Sequence, residues 1–195
     1  HLAARTDRLK QRRQGRARAA TKRIVFFSEP IVEDYGPPAR GFTQFEVATR
    51  IARELAGHAG VLLSIKPHPR EAEADWRVWL ARTPNASLAT EDTETLLVAA
   101  DGVLGMTTMV LLEACLAGIP ALSLQPDRPE VMNPMLDSMG PGVARRDDVA
   151  TALAAWLATL ARPVPSPPAR DFLSGGGARL AAAVEEILAR PRGRA

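Results

Sequence analysis

The sequence predicts an α/β fold, with a mostly parallel sheet of about six strands between helices, which makes three layers. Short apolar runs of strand length alternate with longer segments whose apolar residues recur at helical spacing, and this alternation is typical of βαβ units. The chain has 195 residues, 46% of them hydrophobic, which is enough for one domain with its own core. Because only 5% are aromatic, aliphatic side chains must build that core.

The elements follow one another along the chain in a regular order. Strands are predicted at residues 24–27, 61–65, 86–89, 103–105, 121–124 and 142–144. Helices are predicted at residues 43–55, 71–82, 93–100, 107–117, 147–160 and 177–189. Thr43 and Glu46 match a capping box, and Phe42 and Val47 match the hydrophobic staple that often accompanies it.

Composition and charge divide the chain into three parts. Residues 1–23 carry nine of the 25 lysines and arginines and one of the 22 acidic residues, so we expect a basic leader or linker there. Residues 24–162 form the α/β domain, and residues 163–195 form a proline-rich link and a C-terminal helix that packs on the domain. The single cysteine, Cys115, allows no disulfide within the chain, and no apolar stretch approaches the roughly 20 residues that span a bilayer.

The Lys66-Pro67-His68-Pro69 corner is the strongest indication of a site. It follows the buried strand 61–65, and two prolines restrict its backbone. Ligands of open α/β sheets bind at the carboxyl ends of the strands, so Lys66 and His68 are expected to meet an anion there. The alternative is that His68 is a turn residue that binds backbone and that Lys66 is a surface charge.

A second indication is the strand-to-helix junction Gly105-Met106-Thr107-Thr108. The N-terminus of a helix presents unpaired N–H groups and a partial positive charge. The hydroxyls of Thr107 and Thr108 would add to a phosphate cradle, and Gly105 would permit close approach. Ordinary N-capping by threonine explains the pair equally well.

Glu113 lies in the helix that follows this junction, among leucines and alanines. A carboxylate is costly to bury there without a partner, and it could accept hydrogen bonds from a ribose diol. A glutamate at the partly exposed edge of the helix is the alternative.

These residues also resemble a known family. The segments at residues 95–105 and 112–122 resemble the C-terminal, Rossmann-like nucleotide-binding half of GT-B glycosyltransferases. The Lys-Pro-His-Pro corner and the Thr-Thr pair resemble the branch of capsule, polysialic-acid and teichoic-acid polymerising transferases, including the CDP-glycerol glycerophosphotransferases. That branch carries a His-Pro motif and a Ser/Thr pair at matching junctions. The resemblance covers roughly residues 24–160.

The resemblance implies a role for each motif. His68 would bind the diphosphate of the donor and stabilise the leaving group, Thr107 and Thr108 would hold the phosphates, and Glu113 would bind the ribose. The substrate-binding set is completed by Ser28, Lys66 and Gly105. Many retaining GT-B enzymes carry a further glutamate at the position that Gly105 occupies here. In this respect the chain departs from the pattern of those retaining enzymes. We expect no metal and no cofactor.

The resemblance also implies partners and a location. A GT-B enzyme has two Rossmann-like domains, so we expect a second, N-terminal one that supplies the catalytic base, without which this half is inactive. On this side, Glu29 and Asp34 are candidate acid/base groups, or else solvated loop acids. The donor would be CDP-, UDP- or CMP-linked. The protein would be cytoplasmic, with contact at the inner face of the membrane as a further expectation.

Two other functions fit parts of the sequence. An isomerase half resembling the UDP-GlcNAc 2-epimerases would share the fold, although those enzymes usually have a Ser-Gly-Gly type of turn where this chain has Gly-Met-Thr-Thr. A module that binds nucleic acid or an anionic surface through the basic arm would explain the cations of residues 1–23. The arm lacks aromatic residues for base stacking.

Overall fold

Six parallel strands form one sheet in the order β3-β2-β1-β4-β5-β6. The computed structural model of the protein describes residues 2–16, 19–36, 41–128, 133, 136, 142–146 and 148–160. The strands are β1 Lys22–Phe27, β2 Val61–Lys66, β3 Ala86–Leu88, β4 Gly102–Gly105, β5 Ala121–Leu124 and β6 Val143–Ala144. The predicted α/β fold with a parallel sheet of about six strands is therefore confirmed.

Helices connect the strands and cover the sheet. They are α1 Leu2–Arg13, α2 Ile31–Tyr35, α3 Gln44–Ala56, α4 Glu73–Leu80, α5 Thr93–Ala99, α6 Met109–Leu116 and α7 Val149–Thr159. The short helix α2, which begins after Pro30, was not predicted, because five residues are too few to establish a helical period. The predicted link at 163–168 and helix at 177–189 lie outside the described residues.

The two faces of the sheet carry separate cores, as the side-chain alternation of β1 illustrates. Ile24 and Phe26 belong to a cluster with apolar residues of α3 and α7 and with Trp76 of α4. Val25 and Phe27 belong to a second cluster with residues of α1, α5 and α6. Because successive side chains of a strand point to opposite faces, this division confirms three layers, with β1 buried on both sides.

The start of α3 shows how the sequence fixes a local structure. The Thr43 hydroxyl accepts a hydrogen bond from the Glu46 backbone N–H at 3.2 Å, and the Glu46 carboxylate accepts one from the Thr43 N–H at 2.7 Å. The predicted capping box is confirmed. Phe42 and Val47 are both buried in the core on this side, as the hydrophobic staple requires.

The first residues of the chain form a helix that is docked on the domain. Leu9 of α1 is fully buried in the core beside α5 and α6. Residues 2–13 of the predicted leader therefore add a helix to one outer layer, while the division of the chain at 23 and 162 stays a prediction. Within the part of the chain that the structure describes, no helix has the length and apolarity to cross a membrane.

Strand register determines which loops are neighbours. Phe27 pairs with Lys66 across β1 and β2, and Phe26 pairs with Leu104 across β1 and β4. The segments that follow β1, β2 and β4 therefore leave the same edge of the sheet side by side.

Candidate functional site

An open cleft of about 450 Å³ lies where these three segments leave the sheet. Its lining comes from the loop after β1, from α2, from the corner after β2 and from the junction after β4. The lining residues are Glu29, Pro30, Ile31, Asp34, Tyr35, His68, Arg70, Thr107, Thr108 and Asn133. Strand β1 has β2 on one side and β4 on the other, so the cleft lies at the topological switch point, where open α/β sheets bind their ligands.

The imidazole of His68 is oriented by its own turn. Its Nδ1 accepts a hydrogen bond from the backbone N–H of Arg70 at 3.2 Å. In the neutral tautomer that fits this bond, Nε2 carries the proton and is a donor. His68 therefore supplies an N–H donor among the residues that line the cleft.

A buried carboxylate, that of Glu71, holds the corner in place. One oxygen accepts hydrogen bonds from the Ser28 hydroxyl at 2.7 Å and from the Trp76 indole N–H at 3.3 Å. The other accepts the backbone N–H of His68 at 2.5 Å. Glu71 is only 8% exposed, and burial raises its pKa although the hydrogen bonds from His68, Ser28 and Trp76 oppose the shift.

The sequence analysis missed Glu71, although one signal was available. Glu71 also donates its backbone N–H to the His68 carbonyl at 2.9 Å, so residues 68 and 71 bind each other reciprocally. An acidic residue three positions after a turn residue is the spacing that permits such a pair. The contacts with Ser28 and Trp76 depend on the fold and could not be read from spacing.

The two threonines of the junction have different partners. The Thr108 hydroxyl accepts the N–H of Val110 at 3.2 Å and caps α6, so ordinary N-capping accounts for its present contact. The Thr107 backbone N–H donates to one oxygen of Glu29 at 2.6 Å, and its hydroxyl donates to the other. A carboxylate of the same chain therefore occupies the donors predicted to bind phosphate.

A second carboxylate in the cleft pairs with an arginine. Each oxygen of the Asp34 carboxylate accepts a hydrogen bond from one terminal nitrogen of Arg70, at 2.6 and 2.7 Å. The Arg70 side chain is 61% exposed and that of Asp34 26%. Glu29 and Asp34, the two acids considered from the sequence, both line the cleft and both have partners there.

Three other predicted residues lie next to the cleft lining and shape it. Ser28 is buried and donates its N–H to the Lys66 carbonyl at 2.9 Å, so both residues join the ends of β1 and β2. A Cβ at Gly105 would lie 2.9 Å from Cγ2 of Thr108 and 3.3 Å from the Phe27 carbonyl oxygen. Only glycine allows this close packing of strand and junction. Neither Lys66, Ser28 nor Gly105 is among the lining residues.

Glu113 lies away from the cleft lining. Its Oε2 is 3.1 Å from Nε of Arg5 on α1, an ion pair whose angles do not form a hydrogen bond. The Glu113 side chain is 14% exposed, and burial raises its pKa while the Arg5 charge lowers it. The structure thus gives this carboxylate a partner within the chain.

The basic arm contacts the domain through several of its arginines. Nη1 of Arg13 donates to the carbonyls of Leu97, Val98 and Ala100 at 2.7, 2.9 and 2.7 Å, at the C-terminus of α5. The arm also forms ion pairs, namely Arg12 with Glu94, Arg16 with Asp101 and Arg23 with Glu91. Much of the arm's charge is therefore used within the fold.

Arg70 and Asn133 are among the lining residues that the sequence analysis also missed. Arg70 follows the predicted corner directly and could have been included on its charge alone. Asn133 donates to the Thr107 carbonyl at 3.2 Å, and nothing in its sequence neighbourhood indicates a site. Among the described residues, no group of three or more His, Cys, Asp or Glu side chains could hold a metal ion.

Comparison with solved structures gives several transferases. The β-Kdo 2,7-transferase KpsC of Thermosulfurimonas dismutans is 18% identical, with 63% of this chain and 40% of that chain covered and a TM-score of 0.40. The wall teichoic acid polymerase TagF soaked with CDPG is 14% identical, with 84% and 38% covered and a TM-score of 0.49. A further TagF structure is 12% identical, with 94% and 49% covered and a TM-score of 0.40.

The chain spans about two fifths to one half of the length of these structures. No family model and no curated protein matches the chain.

Proposed function

We propose that the cleft binds the phosphates of a nucleotide-linked donor, and that the chain is the donor-binding half of a glycosyltransferase-like enzyme of surface polysaccharide biosynthesis. The observation that carries this proposal is the meeting of His68, Thr107 and Thr108 in one cleft at the switch point of the sheet. The sequence had placed these residues on separate loops. Their convergence with Arg70 concentrates hydrogen-bond donors where a parallel sheet binds anions.

Each of these hydrogen-bond donors has a role when the nucleotide leaves. The Nε2–H of His68 and the guanidinium of Arg70 would bind phosphate oxygens, and the N–H and hydroxyl of Thr107 would bind others at the start of α6. Negative charge grows on these oxygens as the bond to the transferred group breaks. Donors that are already oriented stabilise that charge without reorganisation. His68, which Glu71 fixes through its backbone, is the residue we assign to the leaving group.

The remaining parts of the proposal concern groups outside the cleft. The donor would be CDP-, UDP- or CMP-linked, and Glu113 would bind its ribose only after Arg5 releases the carboxylate. A second Rossmann-like domain would supply the catalytic base and the acceptor site, and this half would be inactive without it. The protein would work in the cytoplasm, with peripheral contact at the membrane.

Calorimetric titration with CDP, UDP and CMP tests the proposal. His68→Ala removes a donor to a charged group, and such a hydrogen bond contributes about 1.5–3 kcal/mol, so the affinity should fall about tenfold or more. His58→Ala is the matched control, because His58 is an exposed histidine in the turn after α3. It should leave the affinity unchanged. The proposal would be refuted if none of the three nucleotides binds, or if the two substitutions reduce the affinity equally.

A further inference from the structure

The donors in the cleft are occupied by carboxylates of the chain itself. Glu29 accepts hydrogen bonds from the N–H and the hydroxyl of Thr107, and Asp34 accepts hydrogen bonds from both terminal nitrogens of Arg70. In each case two oxygens of one anionic group meet two donors, which is the contact that two phosphate oxygens would make. The cleft therefore contains two anion positions, and a carboxylate of the chain fills each of them.

We propose that Glu29 and Asp34 determine which ligands this cleft accepts, by holding its two anion positions until two linked phosphates replace both carboxylates. The inference rests on the proposed function and narrows its substrate class to nucleoside diphosphate donors over monophosphate donors. A ligand with one phosphate replaces one carboxylate and leaves the other in place. A diphosphate replaces both in a single binding event.

The two carboxylates can leave their partners without unfolding the segment that carries them. Ile31 of α2 is buried, and the N–H of Val32 donates to the Gln44 side chain at 3.1 Å, so the backbone of this segment is anchored to α3. The Asp34–Arg70 pair is exposed enough that both groups can be solvated separately. In the exchange that we propose, the two side chains rotate while α2 stays in place.

Charge makes the exchange costly for the ligand. A displaced carboxylate remains in the cleft beside the incoming phosphate, and like charges at short range repel. Converting Glu29 or Asp34 to its amide keeps the size of the side chain and removes this repulsion. Each amide should therefore strengthen phosphate binding, whereas a residue that contacts the ligand favourably would weaken it.

The experiment measures dissociation constants of CDP, CMP and inorganic pyrophosphate for the wild type, Glu29→Gln, Asp34→Asn and the double variant. Glu54→Gln removes one negative charge from α3, outside the cleft lining, and controls for overall charge. We expect each single amide to strengthen CDP and pyrophosphate binding about fivefold, and the two gains to multiply in the double variant. The double variant should bind CMP no more tightly than the better of the two single variants does.

The outcomes separate this inference from the proposed function. Stronger pyrophosphate binding in the amide variants, without any CDP binding, would support the inference and refute the nucleotide function. The inference alone would be overturned if CDP binding depends on His68 but the amide variants change its dissociation constant by less than twofold relative to the Glu54→Gln control. Weaker CDP binding in the amide variants, or gains for CMP that multiply as those for CDP do, would also overturn it. If no variant binds any of the three ligands, both proposals fail.

Discussion

Two of the regions in which arginines contact this fold, the α1 face and the cleft, differ in what the arginine does. On the α1 face, Arg13 is enclosed by the carbonyls at the end of α5, and burial together with the neighbouring charge of Arg16 lowers its pKa to about 10. In the cleft, Arg70 is mostly exposed and pairs with the carboxylate of Asp34. The arm has more cations than the cleft, whereas the cleft brings donors from several loops together at the switch point of the sheet.

A count of basic residues therefore does not locate an anion site. A guanidinium that satisfies helix carbonyls contributes to folding, because removing it leaves buried acceptors without donors. A guanidinium paired at the surface contributes little to folding and can be used for binding. The two regions should therefore respond in opposite ways to substitution.

The largest effect on stability is expected for Arg13→Ala. It removes the donor shared by three carbonyls, and hydrogen bonds that involve a charged group contribute about 1.5–3 kcal/mol, so the free energy of unfolding should fall by about 2–3 kcal/mol. Urea denaturation measures the change. Arg8→Ala, on the exposed side of the same helix, should change stability by less than about 0.5 kcal/mol. Equal effects of the two substitutions would mean that α1 is not held as described.

Glu71→Gln should have the next largest effect, with the free energy of unfolding lower by about 1–2 kcal/mol at pH 7. The amide N–H groups would face hydrogen-bond donors of Ser28, His68 and Trp76, which the carboxylate accepts. The loss should also depend on pH. Burial raises the pKa of Glu71 in the folded protein, so the folded state takes up a proton before the unfolded state does as the pH falls. The stability of the wild type relative to Glu71→Gln should therefore increase as the pH falls from 7 towards 4.5. A constant or decreasing difference between the two denaturation curves would contradict this assignment.

Arg5→Ala should cost about 1 kcal/mol, because it leaves the largely buried Glu113 carboxylate without its ion pair. The double variant with Glu113→Gln should recover most of that loss, since no buried charge then remains. A double-mutant cycle from thermal or urea unfolding gives the coupling between the two residues. Additive losses would show that the pair contributes nothing.

The smallest effect on stability is expected for Arg70→Ala, which removes an exposed ion pair and should change the free energy of unfolding by no more than about 0.5 kcal/mol. Its CDP affinity should nevertheless fall about fivefold. Arg13→Ala, assayed where it is folded, should keep the wild-type affinity. A loss of CDP binding in the Arg13 variant with none in the Arg70 variant would reverse the comparison.

The sequence was sufficient for the sheet and for the loops that carry the site. Runs such as Ile24–Phe27 are buried on both faces and can be identified without knowing their neighbours. The Lys66–Pro69 corner and the Thr107–Thr108 junction were predictable because proline and helix-capping residues mark loop ends locally.

The partners across the fold could not be predicted. Glu113 has the spacing of a candidate ligand, but its contact with Arg5 joins residues that are far apart in the sequence. Glu29 has no local signal for its contact with Thr107, which depends on the pairing of β1 with β4. Such long-range pairs decide which polar residues face the cleft and which stabilise the fold.

We expect anions to bind in the cleft rather than on the basic arm. Titration of isotope-labelled protein with CDP, followed through backbone amide NMR shifts, distinguishes the two locations. The largest shift changes should occur at Thr107, His68 and Arg70, while the amides of residues 2–13 stay unchanged. Shift changes concentrated in residues 2–13, with the cleft amides unmoved, would show that the anion binds on the arm instead.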